Sequence, residues 1–281
     1  MDAGTLETWI GKERTIDDVI DRRQARLLAA TLNCEDKLRK ASDLPPLWHW
    51  IYFAEAVPTR QTGPDGHAAL GGFMPPIPLP RRMWAGGRLT FGAPLRFGAP
   101  AKKTSTIAAI DRKTGRSGPM VFVTVRHVIE SEGQECLTEE HDVVYLEPRQ
   151  RDAAPPPPPA PPQGVDLTRT ISPSAVSLFR YSALTFNSHR IHYDVDFCRD
   201  VEGYPDLVVH GPLQATLLAD LAGQVASDRP LTSFAFRAVS PVFADKDFTI
   251  AAKTDTEKGT AWAMNPEGAL AMQATFTWRA R

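Results

Sequence analysis

Asn187, His189, Arg190, His192 and Asp194 all fall within one stretch, NSHRIHYD, of a chain that has seven histidines. An imidazole moves protons near neutral pH, and an amide or carboxylate a few residues away can orient the water or ring it works with. Shortly afterwards comes YPDLVVHGPLQATLL (204–218), where Gly211 stands at a predicted helix start with Pro212 in the first turn. The free N–H groups of a helix N-terminus favour negative charge, and glycine lets a ligand approach the main chain closely. Together these segments suit chemistry beside an activated carbonyl such as a thioester. A base moves a proton or activates water, and the helix end meets the charge that develops on oxygen. The same residues are also at home as solvent-facing histidines in a polar turn and an ordinary helix-entry glycine. His189, His192 and Cys198 raise a metal site as an alternative, but no second cysteine or acidic pair stands at a recognised spacing, so no metal is expected. No nucleophile-elbow, P-loop or dinucleotide-binding glycine motif occurs in its proper context.

The elements that must hold these residues read most clearly in the second half. Leu213, Leu217, Leu218, Leu221 and Val225 recur at helical spacing. Short strand candidates follow at 231–239, 247–253, 260–264 and 269–278, close enough for an antiparallel meander. A buried helix followed by strands suggests an α+β arrangement, a sheet curled round a helix. In the first half, TIDDVIDRRQARLLAATL (15–32) has Thr15 and Asp18 at capping-box spacing and Ile16, Val19, Ile20, Leu27, Leu28 and Leu32 as an apolar set, which predicts one helix. TSTIAAIDRKTGRSGPMVFVTVRHVIE reads as a hairpin turning at KTGRSG, and HDVVYLE (141–147) as a further strand. GGFMPPIPLPRRMWAGGR (71–88) reads as a long loop, of the kind more often functional than accidental. Both halves thus read as helix first and strands afterwards, a hint of duplicated topology. The proline-rich run AAPPPPPAPPQG (153–164) separates them as a semi-rigid connector, with a ligand for a proline-binding domain as the other reading. The expected organisation is 1–150, a linker over 151–166, and 167–281.

Composition narrows the function classes. Formal net charge is −1, so no global basic field recruits nucleic acid or an anionic membrane. Cys34, Cys136 and Cys198 are odd in number and far apart, which fits a reducing compartment. The N-terminus has neither the basic nor the apolar region of a signal peptide, and no apolar run reaches membrane-spanning length. A cytoplasmic protein is expected.

The strings FRYSALTFNSHRIHYD and YPDLVVHGPL, with LPPLWHWIYF, GGFMPPIPLPRRMWAGGRL and GRSGPMVFVTVRH, resemble the MaoC-like hydroxyacyl-thioester dehydratase type 2 and mesaconyl-C4-CoA hydratase group over most of the chain. The resemblance implies a double hotdog fold with a degenerate N-terminal unit and a catalytic C-terminal one. It implies His192 as the acid/base, Asn187 as its water-orienting partner where related hydratases carry an aspartate, and Gly211 as the oxyanion donor. Asp194 could orient an imidazole or act as a second acid/base. The implied reaction is reversible hydration of an α,β-unsaturated acyl-CoA, with CoA as part of the substrate and no separate cofactor. A branched C5 dicarboxylyl group would need a cation, and Arg81, Arg82, Arg88 and Arg190 are candidates, with His189 and His210 as further substrate contacts. Lys102, Lys103 or Arg126 could meet the CoA phosphates. The alternatives are a 3-hydroxyacyl-thioester dehydratase of fatty-acid synthesis, a thioester hydrolase and a non-catalytic thioester-binding protein. Exposed sheet edges make a homodimer a reasonable state.

Overall fold

A computed structural model describes residues 6–39, 41–115, 118–147, 158–227 and 229–279. The first part of the proline-rich run, 153–157, and the tip of the KTGRSG turn therefore lie outside the described residues. Ten strands form one sheet in the order β1-β3-β4-β5-β2-β7-β10-β9-β8-β6. In chain order these are β1 (Glu13–Val19), β2 (Arg81–Phe91), β3 (Pro100–Gly115), β4 (Gly118–Ser131), β5 (Gln134–Leu146), β6 (Leu167–Ile171), β7 (Leu231–Ala238), β8 (Phe248–Thr254), β9 (Lys258–Met264) and β10 (Leu270–Trp278). The order reads the same from either end. The first strand of each half lies at an edge, the second strands β2 and β7 meet in the centre, and the other three fill the space between. The duplication hinted at by the sequence is thus one of topology.

The helices are α1 (Arg22–Leu32), α2 (Ala175–Thr185) and α3 (Gly211–Val225). α3 fits the helical spacing read from the sequence. It is buried along most of its length and packs on β7 to β10 as the core of the C-terminal unit. α1 and α2 each follow the edge strand of their half and pack against one another. The N-terminal unit has no counterpart of α3 among the described residues. A short 3-10 turn, Trp48–Ile51, lies there instead, its His49 and Trp50 reaching Glu139 on β5.

Three predictions need correction. Residues 15–32 are not one helix, because Glu13–Val19 alternates in burial as a strand and pairs with β3. The helix starts only after Asp21, whose carboxylate accepts the Arg23 N–H. Asp18 instead accepts the Phe53 N–H, so the capping-box spacing was coincidental. The stretch 71–88 is loop only in its first part, since β2, a central strand, begins at Arg81. Gly86 and Gly87, which read as loop signals, lie where β2 bulges against β5 and crosses to β7. A Cβ on Gly86 would collide with the Phe236 carbonyl oxygen. The C-terminal meander also holds only for β8 to β10, because β7 pairs with β10 rather than β8.

Candidate active site

α2 begins at a capping box on Ser174 and ends at Phe186, whose left-handed conformation (φ 50°) turns the chain sharply. Asn187 follows at once, and a 3-10 turn, Arg190–His192, brings His192 back against Val208. The His192 Nδ1–H donates to the Val208 carbonyl at 2.7 Å. A carbonyl can only accept, so the ring proton sits on Nδ1 and Nε2 keeps a lone pair. The ring stacks on His210 (centroids 3.6 Å apart, 17° between planes) and meets His189 edge-on at 5.6 Å. Burial pushes the His192 pKa down to about 4, partly offset by the Val208 carbonyl, so the ring is a neutral base at pH 7. His210 is itself buried, with Nε2 at 2.8 Å from Ser182 Oγ; it supports His192 from behind rather than facing open space.

Asn187 Oδ1 accepts the His189 main-chain N–H at 3.0 Å. That fixes the amide and leaves its NH₂ as the group free to donate. Gly211 opens α3, where its N–H has no intrahelical acceptor. A Cβ here would lie 3.0 Å from the Trp84 ring, so the absence of a side chain permits the close approach of β2. Asn187, His189, His192 and Gly211 all border one cavity of about 1150 Å³, whose walls come from both halves of the chain.

The N-terminal half contributes residues that sequence reasoning missed. The loop around Asp65 is clamped on the histidine segment. Arg190 N–H donates to the Asp65 carbonyl at 2.9 Å and Arg190 Nη1 to Pro64 at 3.1 Å. Gly66 (φ +88°) has no room for a side chain beside the Ser188 carbonyl. This places His67 against His189, ring centroids 4.0 Å apart, with Asp65 Oδ2 at 2.8 Å from His67 Nδ1. Burial acts to raise the Asp65 pKa, but the His67 ring and main-chain N–H outweigh it and hold the carboxyl ionised. Burial lowers the pKa values of His67 and His189. Ligand atoms of Asp65, His67 and His189 lie within 4.8 Å of one another, close enough to share a cation, although the Arg82 charge beside them opposes one. The set considered from sequence is not assembled, as Cys198 Sγ turns to the Ile191 carbonyl.

The remaining candidates separate. Arg190 pairs with Asp194 at 2.8 Å, Asp194 caps the Phe197 N–H, and neither borders the cavity. Arg88 is held by Glu140 and Asp142 at 2.7 and 2.6 Å, away from the cavity. Arg81 borders the cavity but lies 3.6 Å from Glu202. Arg82 borders it too, 3.5 Å from the Ala68 carbonyl, beside the Tyr145 hydroxyl and with Asp65 nearby. Lys102, Lys103 and Arg126 are absent from the lining; Lys103 is half-buried beside Phe53, its pKa lowered to about 8 by desolvation. The only hint of Asp65 and His67 in the sequence was the turn-forming PDGH within a long loop.

Comparison with known proteins agrees with this arrangement. Residues 47–244 match the family described as hydroxyacyl-thioester dehydratase type 2. A mesaconyl-C(4)-CoA hydratase from Chloroflexus aurantiacus is 46% identical over 276 residues, covering 98% of both chains. Among solved structures, a MaoC-like dehydratase from Phytophthora capsici superposes with a TM-score of 0.74 at 14% identity, covering 99% of this chain and 98% of that one. A Mycobacterium tuberculosis protein described as having a double hotdog fold superposes with a TM-score of 0.56 at 12% identity, covering 96% of each chain. The fold is the double hotdog, its N-terminal unit lacking a long central helix among the described residues.

Proposed function

The chain belongs to the hydroxyacyl-thioester dehydratase type 2 family, and from that premise we propose that it hydrates a branched C5 dicarboxylyl-CoA, mesaconyl-C4-CoA or itaconyl-CoA, to citramalyl-CoA. It is a hydro-lyase of the acyl-CoA hydratase type. The observation that carries the reading is the neutral His192, with its lone pair on Nε2, sharing a cavity with the Gly211 N–H at the entry of α3. With mesaconyl-C4-CoA, whose double bond is conjugated to the thioester, Nε2 takes a proton from water held by the Asn187 amide while the water oxygen attacks the β-carbon. Charge moves to the thioester oxygen and is met by the Gly211 N–H. The imidazolium then returns its proton to the α-carbon, leaving hydroxyl on the β-carbon and the thioester intact. The reaction needs no cofactor beyond the CoA carried by the substrate.

The nearly full-length similarity to a mesaconyl-C(4)-CoA hydratase supports the C5 dicarboxylyl substrate over linear acyl chains. Arg82 supports it as well, being a cavity guanidinium with no carboxylate in ion-pair contact among the described residues. The test is an assay with mesaconyl-C4-CoA that follows the enoyl-thioester absorbance and free thiol together. Loss of absorbance without thiol release is expected. Thiol release would make the protein a thioesterase, silence in both signals a binding protein, and faster turnover of linear enoyl thioesters on acyl carrier protein a fatty-acid dehydratase. The three cysteines are free, as a cytoplasmic setting requires, and no helix among the described residues is long and apolar enough to cross a membrane. The edge strands β1 and β6 each pair on one side only among the described residues, which favours a homodimer, checked by sedimentation.

A further inference from the structure

The far wall of the cavity is built on the inner face of the N-terminal sheet, across Trp84 from Gly211. Val125 and Val143 make part of it apolar, but His127 on β4 and His141 on β5 also border the cavity, their rings 4.8 Å apart. Each imidazole is held from behind by a buried partner. His127 Nδ1 lies 2.8 Å from Ser105 Oγ, and His141 Nε2 is bonded to Glu139. Glu139 is buried and also takes His49 Nε2 and Trp50 Nε1, each at 2.9 Å. Burial acts to raise the pKa of this carboxyl, but His141 and His49 hold it well below the usual range, so it stays ionised. The second nitrogen of each ring, His127 Nε2 and His141 Nδ1, has no protein partner among the described residues. Trp84, whose indole lies 5.1 Å from His141, has a buried Nε1–H with no partner among the described residues. Buried polar groups are normally paired, so polar nitrogens gathered without partners at a cavity wall mark the place of a polar ligand group.

We infer that His127 and His141 form the subsite that reads the carboxylate on the acyl group, a role that rests on the hydratase reading above and fixes its substrate class. A Ser105 hydroxyl donating to Nδ1 leaves the His127 proton on Nε2, facing the cavity. The Glu139 carboxylate can only accept, so His141 donates through Nε2–H and turns Nδ1 to the cavity, where it and an incoming acyl carboxylate would share a proton taken from solvent. An acyl group ending in a methyl leaves both ring nitrogens dry and unpaired, and sites built to hydrogen-bond a substrate group reject analogues that lack it. The charge of the bound carboxylate is answered inside the N-terminal unit, while the proton chemistry stays in the C-terminal one.

The probes are mesaconyl-C4-CoA and 3-methylcrotonyl-CoA, which carries a methyl where the first has its carboxylate. The wild-type protein is expected to favour the first by roughly 10²-fold in kcat/KM. His127→Leu and His141→Gln should each reduce that ratio about 10-fold or more, mainly through KM for the carboxylated substrate. His141→Gln retains a polar group beside Glu139, and the far-UV spectra of both variants check that they are folded. If neither probe is hydrated, the hydratase reading itself fails. If the wild type hydrates them with no preference, or if Arg82→Gln erases the preference while both histidine variants keep it, the subsite is overturned and the hydratase reading stands.

Discussion

A base that must stay neutral at pH 7 can be made by burying it, and His192 follows that route, with the Val208 carbonyl choosing its tautomer. His192→Gln is expected to lower kcat by at least about 10²-fold while thermal melting changes little. Near-normal turnover in that variant would remove the assignment. In the proposed mechanism the ring works in its neutral form, and its pKa lies at about 4, so kcat/KM should be flat from neutrality into mild acid and fall as pH drops through that value. Brief acid-jump assays can measure this before the protein unfolds. Asn187→Asp keeps the oxygen that accepts the His189 N–H, so this variant should fold and add an acidic limb to the same profile.

Among the elements, the β2–β7 junction bears most directly on the site, because β2 brings Arg82 and Trp84 to the cavity while joining the two units. Gly86→Ala places a methyl against the Phe236 carbonyl and should cost about 2 kcal/mol or more, read by urea denaturation. This junction also shows where the sequence was legible. α3 declared itself through its leucine spacing, although it is buried on nearly every side from Leu213 to Ala222, and the strands after it through short apolar runs between turn residues. The meeting of His192, Asn187 and Gly211 at one cavity was legible because they cluster along the chain and match a family pattern. β2 was not, because the glycines that let two strands cross closely are the same residues that mark loops. Asp65, His67, His127 and His141 were hidden for another reason. Each is distant in sequence from the residues it serves, and only the folding of the N-terminal loop and sheet over the C-terminal unit gathers them.

Over the whole molecule, burial lowers the pKa of His67, His127, His189, His192 and His210 alike. The unfolded chain takes up protons on these rings near pH 6.5, whereas the folded chain resists until lower pH. Their contribution to stability is therefore fully present above about pH 6.5 and is lost as pH falls below it toward the depressed folded values. Each ring adds a slope of up to about 1.4 kcal/mol per pH unit, so urea midpoints should fall steeply below pH 6. A stability independent of pH between 6.5 and 4.5 would contradict the buried, neutral state of the cluster. The bond from His192 to Val208 has a consequence for any saturation scan of this gene. A side-chain orienter can be deleted by one codon change, but every residue at 208 supplies the same carbonyl, and every residue except proline at 211 supplies the same amide. Half of the proposed reaction machinery is therefore invisible to substitution tables, where those two positions will score by bulk and fit alone.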